Sequence, residues 1–153
     1  MRDALEVGYR SIDTAQSYFN EEEVGKAIEK SGIDRKEIFL TSKVWIEHFR
    51  YEECKKSVLE SVEKLRTDYL DLLLLLHQPF GDTYGAWRAL EELYKEGKFH
   101  AIGISNHYTD RMVEFANFTN IKPMVNQMET QPLNQQKTLK EWACLLYTSD
   151  AAD

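Results

Sequence analysis

Five short segments rich in β-forming residues, separated by longer stretches with helical periodicity, constrain this chain more than any other feature. They are YRSID (residues 9–13), IFLTSKVW (38–45), YLDLLLLLH (69–77), HAIGIS (100–105) and MVNQME (124–129). Between the second and third, Cys54, Val58, Val62 and Leu65 recur at spacings of four, four and three, which makes one face of a helix. Trp87, Leu90, Leu93 and Tyr94 stripe another helix, which Gly97 is placed to stop. Asn20 followed by Glu23 predicts a capping box at the start of a third. Strand alternating with helix is the pattern of a parallel sheet covered by helices, so the fold class is α/β.

An open, doubly wound sheet and a closed (β/α)8 barrel both satisfy that pattern. The open dinucleotide-binding form needs a Gly-rich turn after its first strand, and the seven glycines here contain no G-x-G-x-x-G. The segment ends favour the barrel. Asp13, Lys43, His77, Ser105 with Asn106, and Gln127 close successive segments, 30, 34, 28 and 22 residues apart. In a parallel fold all strand ends open on one face, and in barrels that face carries the active site. Side-chain alternation agrees: Ser11 and Asp13 share one face of their strand, as do Thr41 and Lys43, while Ile12, Leu40 and Val44 share the other. The polar face is predicted to line the barrel interior and the apolar face to lie under the helices.

Composition narrows the function. The 153 residues carry a net charge of −7, which argues against binding nucleic acid or an anionic membrane surface. The opening MRDALEVGYR has charge where a secretory signal needs an apolar run, and Leu72–Leu76 is too short to span a bilayer. A soluble cytoplasmic protein is the expectation. His48, His100 and His107 show no metal-ligand spacing, so no metal is assigned.

The last ten residues, CLLYTSDAAD, read as the translation of a transposon-adapter sequence used in preparing DNA libraries. Residues 1–143 are therefore expected to be the native domain and 144–153 a foreign tail, which removes Cys144 as a disulfide partner for Cys54.

Together, GYRSIDTAQSYFNEEEVGKAI, FLTSKVW, DYLDLLLLLHQP, AIGISN and VNQMETQP resemble the aldo-keto reductases, (β/α)8 barrels that reduce carbonyls with a nicotinamide cofactor. The resemblance runs in order from residue 1 to about residue 143. It implies that Asp13, Tyr18, Lys43 and His77 are the catalytic four. Carbonyl reduction needs hydride at carbon and a proton at oxygen, hence a general acid that does not itself attack the substrate. A phenol fits, although its ordinary pKa of about 10 makes it a slow donor near neutrality. An ammonium about 4 Å away would favour the phenolate by about 4 kcal/mol at an effective dielectric near 20, less whatever burial of the anion takes back. Asp13 would orient Lys43, and His77 would hydrogen-bond the substrate oxygen.

By the same resemblance Ser105, Asn106 and Gln127 bind the nicotinamide carboxamide, Asp13 also touches the cofactor ribose, and Trp45 walls the substrate pocket together with His77. The implied cofactor is NADP(H) and the implied partner a small-molecule carbonyl substrate; oligomeric state is not implied. Taken singly, each residue has a bland reading: Asp13 a turn, Tyr18 or Trp45 packing, Lys43 a solvated surface, His77 a satisfied core histidine. Their joint order on successive strand ends gives the functional reading its weight.

Two local departures stand at the pocket rim. His77-Gln78-Pro79 lacks the tryptophan usual after that histidine, and METQP replaces a more usual IEYHP. A barrel of this kind takes about 250 residues, so the chain is expected to hold strands two to six of eight. It would lack the aromatic that stacks on nicotinamide and the basic segment that grips the adenosine phosphate, and would not turn over substrate by itself. The rival readings are a cofactor-binding, redox-sensing regulatory subunit of the same fold, and a metal-dependent barrel hydrolase using Asp13, Lys43 and His77. The second lacks an H-x-H pair.

Overall fold

The computed structural model describes residues 1–75 and 81–148. The elements follow in the order α1 (Arg2–Glu6), β1 (Ser11–Asp13), α2 (Glu21–Ser31), β2 (Phe39–Val44), α3 (Tyr51–Lys64), β3 (Leu70–Leu75), α4 (Thr83–Lys95), β4 (Phe99–Ser105), α5 (Thr109–Phe118), β5 (Asn126–Gln127) and α6 (Lys137–Thr148). All four strand pairings are parallel, and the spatial order is the chain order, β1 to β5. A doubly wound sheet reverses direction at a switch point, whereas this one never does, which is the winding of a (β/α)8 barrel.

One hydrogen bond shows the curl of the sheet. Gln127 on β5 donates from Nε2 to Asp13 Oδ2 on β1 at 2.7 Å, joining the two edge strands. Four inter-strand steps in a flat sheet would hold those edges about 19 Å apart. The five strands therefore form an arc of barrel wall.

The two faces of the sheet divide as their alternation predicts. Leu40, Val44, Leu73, Leu75, Ile102 and Ile104 face outward into a single apolar core. Leu5, Ile28, Val58, Leu90, Phe115 and Leu139 reach that core from the six helices. Thr41 and Lys43 face inward beside Leu72 and Leu74, with which they are in register, and all four are buried. At Gly103 a Cβ would meet the Val125 carbonyl at 2.5 Å and Leu74 Cδ2 at 2.7 Å, so the inner leucine packs directly on bare backbone there.

Helix ends follow their local chemistry, with one exception. Gly97, at φ 78°, closes α4 by donating to the Tyr94 carbonyl, while Lys98 donates to Leu93, the paired bonds of a Schellman stop. Asn20 precedes α2 as predicted but makes no side-chain cap. Its Oδ1 instead accepts the Thr14 hydroxyl at 2.7 Å, so the capping-box expectation is corrected: a loop contact outcompetes the helix end for that oxygen. The fifth strand is also shorter than its apolar segment, two residues against six, and among the described residues it pairs with β4 alone.

α2 meets the end of α3 through Gly25. A Cβ there would lie 2.5 Å from the Lys64 carbonyl oxygen and 2.7 and 2.8 Å from the Leu65 backbone. Those atoms belong to main chain, so relief requires moving a whole helix. Gly25→Ala is expected to cost about 2–3 kcal/mol, seen as a lower urea midpoint at unchanged slope.

Candidate active site

Parallel strands put their C-terminal ends on one rim, and the polar residues collect there. Asp13, Ser105 and Gln127 end β1, β4 and β5, and Lys43 is next to last in β2. Beyond Asp13 the chain stays extended through Ala15 and then tightens into a 3₁₀ turn, Gln16–Tyr18, which folds Tyr18 back over the rim.

Lys43 is the centre of the site. Its side chain is 5% exposed, and a buried ammonium needs both a counter-charge and acceptors. Nζ donates to the Asp13 carboxylate and, at 3.1 Å, to the Thr14 carbonyl. The Tyr18 ring lies over it, with its centroid 5.5 Å from Nζ. Among the described residues no hydrogen bond joins the phenol to the ammonium, whose protons point instead to Asp13 and Thr14. Tyr18 itself is 55% exposed.

Asp13 links this group to the far edge through Gln127 Nε2. The Gln127 carbonyl accepts the Ser105 hydroxyl at 3.2 Å and the Asn106 N–H at 2.8 Å. Asn106 sits at φ 55°, a left-handed conformation that asparagine tolerates. Among the described residues, Asn106 Nδ2 and Gln127 Oε1 have no hydrogen-bond partner, which leaves a donor and an acceptor on neighbouring strand ends. A carboxamide presents the complementary pair, so a nicotinamide amide fits this donor set.

Six of the sequence-predicted site residues, Asp13, Tyr18, Lys43, Ser105, Asn106 and Gln127, thus stand in one connected group. Trp45 lies just past β2, half-buried, with its N–H held by Gln16 Oε1 at 2.8 Å. His77 falls outside the described residues. Among the described residues no three His, Cys, Asp or Glu side chains converge to hold a metal ion, and no helix is long and apolar enough to cross a membrane.

Sequence reasoning missed the polar layer behind the rim. Glu21 is buried, accepting the hydroxyls of Ser42 at 2.6 Å and Ser61 at 3.0 Å. Gln16 reaches both α3 and the turn after β2. Ser42 was the available signal, a hydroxyl at an outward strand position where Leu40 and Val44 are apolar. A cleft of about 830 Å³ between α1 and α2 is lined by Arg2, Leu5, Arg10 and Lys26 among others, and by none of the site residues.

Phe19 follows Tyr18 at φ 53° and is 90% exposed. The left-handed conformation costs an ordinary L-residue about 1–2 kcal/mol and asparagine less, and this ring buries nothing in return. Phe19→Asn is expected to stabilise the fold by roughly 1 kcal/mol, read as a rise in the thermal midpoint.

Comparison with known proteins agrees with this fold. The model of the aldo/keto reductase family matches residues 1–145. The glyoxal reductase of Bacillus subtilis is 50% identical over 140 residues, which cover 91% of this chain and 50% of that protein. A crystal structure of an aldo/keto reductase from Brucella melitensis superposes with a TM-score of 0.92 at 40% identity, covering 95% of this chain and 58% of that one. The Bombyx mori aldo-keto reductase solved in complex with NADP gives a TM-score of 0.87 at 31% identity, over 94% of this chain and 51% of that one. The chain spans about half the length of the relatives it matches. With five sequentially wound parallel strands and a family match over nearly the whole chain, it belongs to the aldo/keto reductase family.

Proposed function

We propose that this chain supplies most of the catalytic rim of an NADPH-dependent reductase that converts a small aldehyde or ketone to the alcohol. The observation that carries the reading is the buried Lys43 ammonium, tied to Asp13 and Thr14, with the Tyr18 ring above it at 5.5 Å. A half-exposed phenol over a fixed cation is suited to giving up a proton at the rim and to carrying the resulting anion.

The nicotinamide, when bound, supplies hydride to the carbonyl carbon. Tyr18 Oη gives its proton to the carbonyl oxygen, and His77, by the family resemblance alone, is assigned the hydrogen bond to that oxygen. Lys43 stabilises the phenolate left behind. Asp13 holds the ammonium in place. Asn106 and Gln127 offer the donor and acceptor that fix a carboxamide, with Ser105 holding the Gln127 backbone, so that one ring face meets the substrate. Trp45 forms a wall of the pocket. The relative named a glyoxal reductase and the neighbour solved with NADP support glyoxal and NADPH as the first pair to assay.

The test uses a barrel of family length with residues 1–143 in place, mixed with NADPH and glyoxal. Repeated turnover, followed by loss of the reduced cofactor's absorbance, is expected. Tight cofactor binding with no turnover would replace this reading with a redox-sensing subunit. The 153-residue chain alone is expected to show no steady turnover, and residues 144–153 are proposed to be foreign to the enzyme, which resequencing of the source locus checks.

A further inference from the structure

We infer that Gln16 is a positioning residue that locks the turn carrying Trp45 against the turn carrying Tyr18, and that it holds His48 with its proton on Nδ1. This extends the reading that Tyr18 and Trp45 face one substrate. Gln16 opens the 3₁₀ turn that ends in Tyr18. Its carboxamide touches groups from two other elements. Oε1 accepts the Trp45 N–H at 2.8 Å and lies 3.0 Å from His48 Nδ1. Nε2 lies 3.0 Å from Ser61 Oγ and 3.2 Å from both the carbonyl oxygen and the hydroxyl of Ser57 on α3.

The partners fix the orientation of the amide. A backbone N–H can only donate, so the atom facing Trp45 must be oxygen. A backbone carbonyl can only accept, so the atom facing Ser57 must be nitrogen. A flipped amide would set donor against donor at one end and acceptor against acceptor at the other. Because Oε1 only accepts, His48 Nδ1 must present a hydrogen to it. In the neutral ring Nε2 is then the bare acceptor.

The position of Trp45 explains why the clamp is needed. β2 ends at Val44, so the Trp45 N–H has left the ladder, and the following residues turn immediately into a second 3₁₀ segment, Ile46–His48. An unpaired backbone donor there would leave the loop free to shift. Gln16 supplies the acceptor for that N–H. Because its own backbone belongs to the Tyr18 turn, the spacing between the proton donor and the pocket wall is set by one side chain braced on α3.

Long-range ¹H–¹⁵N spectra of the 153-residue chain test the histidine directly. His48 is expected to show a protonated Nδ1, and Gln16→Leu, of similar volume, to shift it toward the Nε2–H form. Trp45 amide exchange should accelerate about tenfold in Gln16→Leu while mid-α4 amides keep their protection. Gln16→Glu retains the acceptor toward His48 but sets a carboxylate oxygen against the Ser57 carbonyl, so it should keep the hydrogen on Nδ1 while losing part of the Trp45 protection. A wild-type His48 protonated only on Nε2, or Trp45 exchange unchanged in Gln16→Leu, would overturn the inference. In a barrel of family length, Gln16→Leu should lower kcat about tenfold and raise KM several-fold, because donor and pocket wall both lose their spacing; kcat and KM both within about twofold of wild type would also overturn it. The spectra involve no turnover, so they can stand even where Tyr18 proves not to be the proton donor.

Discussion

Tyr18→Phe, made in a barrel of family length carrying this segment, is expected to lower kcat by about 10²- to 10⁴-fold, the usual contribution of a positioned general acid. That corresponds to about 2.7–5.5 kcal/mol in activation free energy. The change removes one oxygen from a side chain that is 55% exposed and whose hydroxyl makes no hydrogen bond among the described residues. Stability should therefore move by no more than about 0.5 kcal/mol. Substrate affinity should change little, because the proton is transferred only as the transition state forms, and kcat and kcat/KM should fall together. Cofactor binding should persist, since Asn106 and Gln127 lie on other strand ends. Paired steady-state kinetics and cofactor titration check this. A variant retaining more than about a tenth of wild-type kcat would remove Tyr18 from the proton-transfer role.

The features legible in the sequence were those encoded by period. The helix stripe Cys54, Val58, Val62 and Leu65 is buried in the core, as its spacing required. The alternation of Thr41 and Lys43 against Leu40 and Val44 separated the two faces of the sheet before any coordinates. Polar strand ends located the rim because parallel winding makes all such ends neighbours. The misses were contacts that depend on where a loop lands. Asn20 reads locally as a helix cap, yet Thr14, six residues earlier, takes its oxygen. Gln16 has no periodic partner at all: its bonds to Trp45 and Ser61 span 29 and 45 residues and exist only after the 3₁₀ turn folds onto α3. Sequence placed Tyr18 near Lys43 but not the manner of contact. The ammonium spends its protons on Asp13 and Thr14 and meets the phenol through the ring face.

The same ion pair should respond unequally to losing one partner or the other. Lys43 is 5% exposed and Asp13 40%. Asp13→Asn leaves the ammonium buried with the Thr14 carbonyl and a neutral amide, and stranding a buried charge costs about 3–5 kcal/mol. The half-open position of Asp13 admits water that screens part of this, so a loss of about 2 kcal/mol is expected. Lys43→Met replaces the buried cation with an apolar chain of similar length. It leaves Asp13 where solvent and Gln127 Nε2 can still satisfy it. Its cost should fall within about 1 kcal/mol of zero. Urea midpoints of the two variants, measured at neutral pH, should therefore separate clearly even though both variants are expected to lose turnover in a barrel of family length. Equal destabilisation would mean that water reaches Lys43 as readily as Asp13. In that case the ammonium would be screened from the phenolate it is proposed to stabilise, and the acid strength of Tyr18 would need another source.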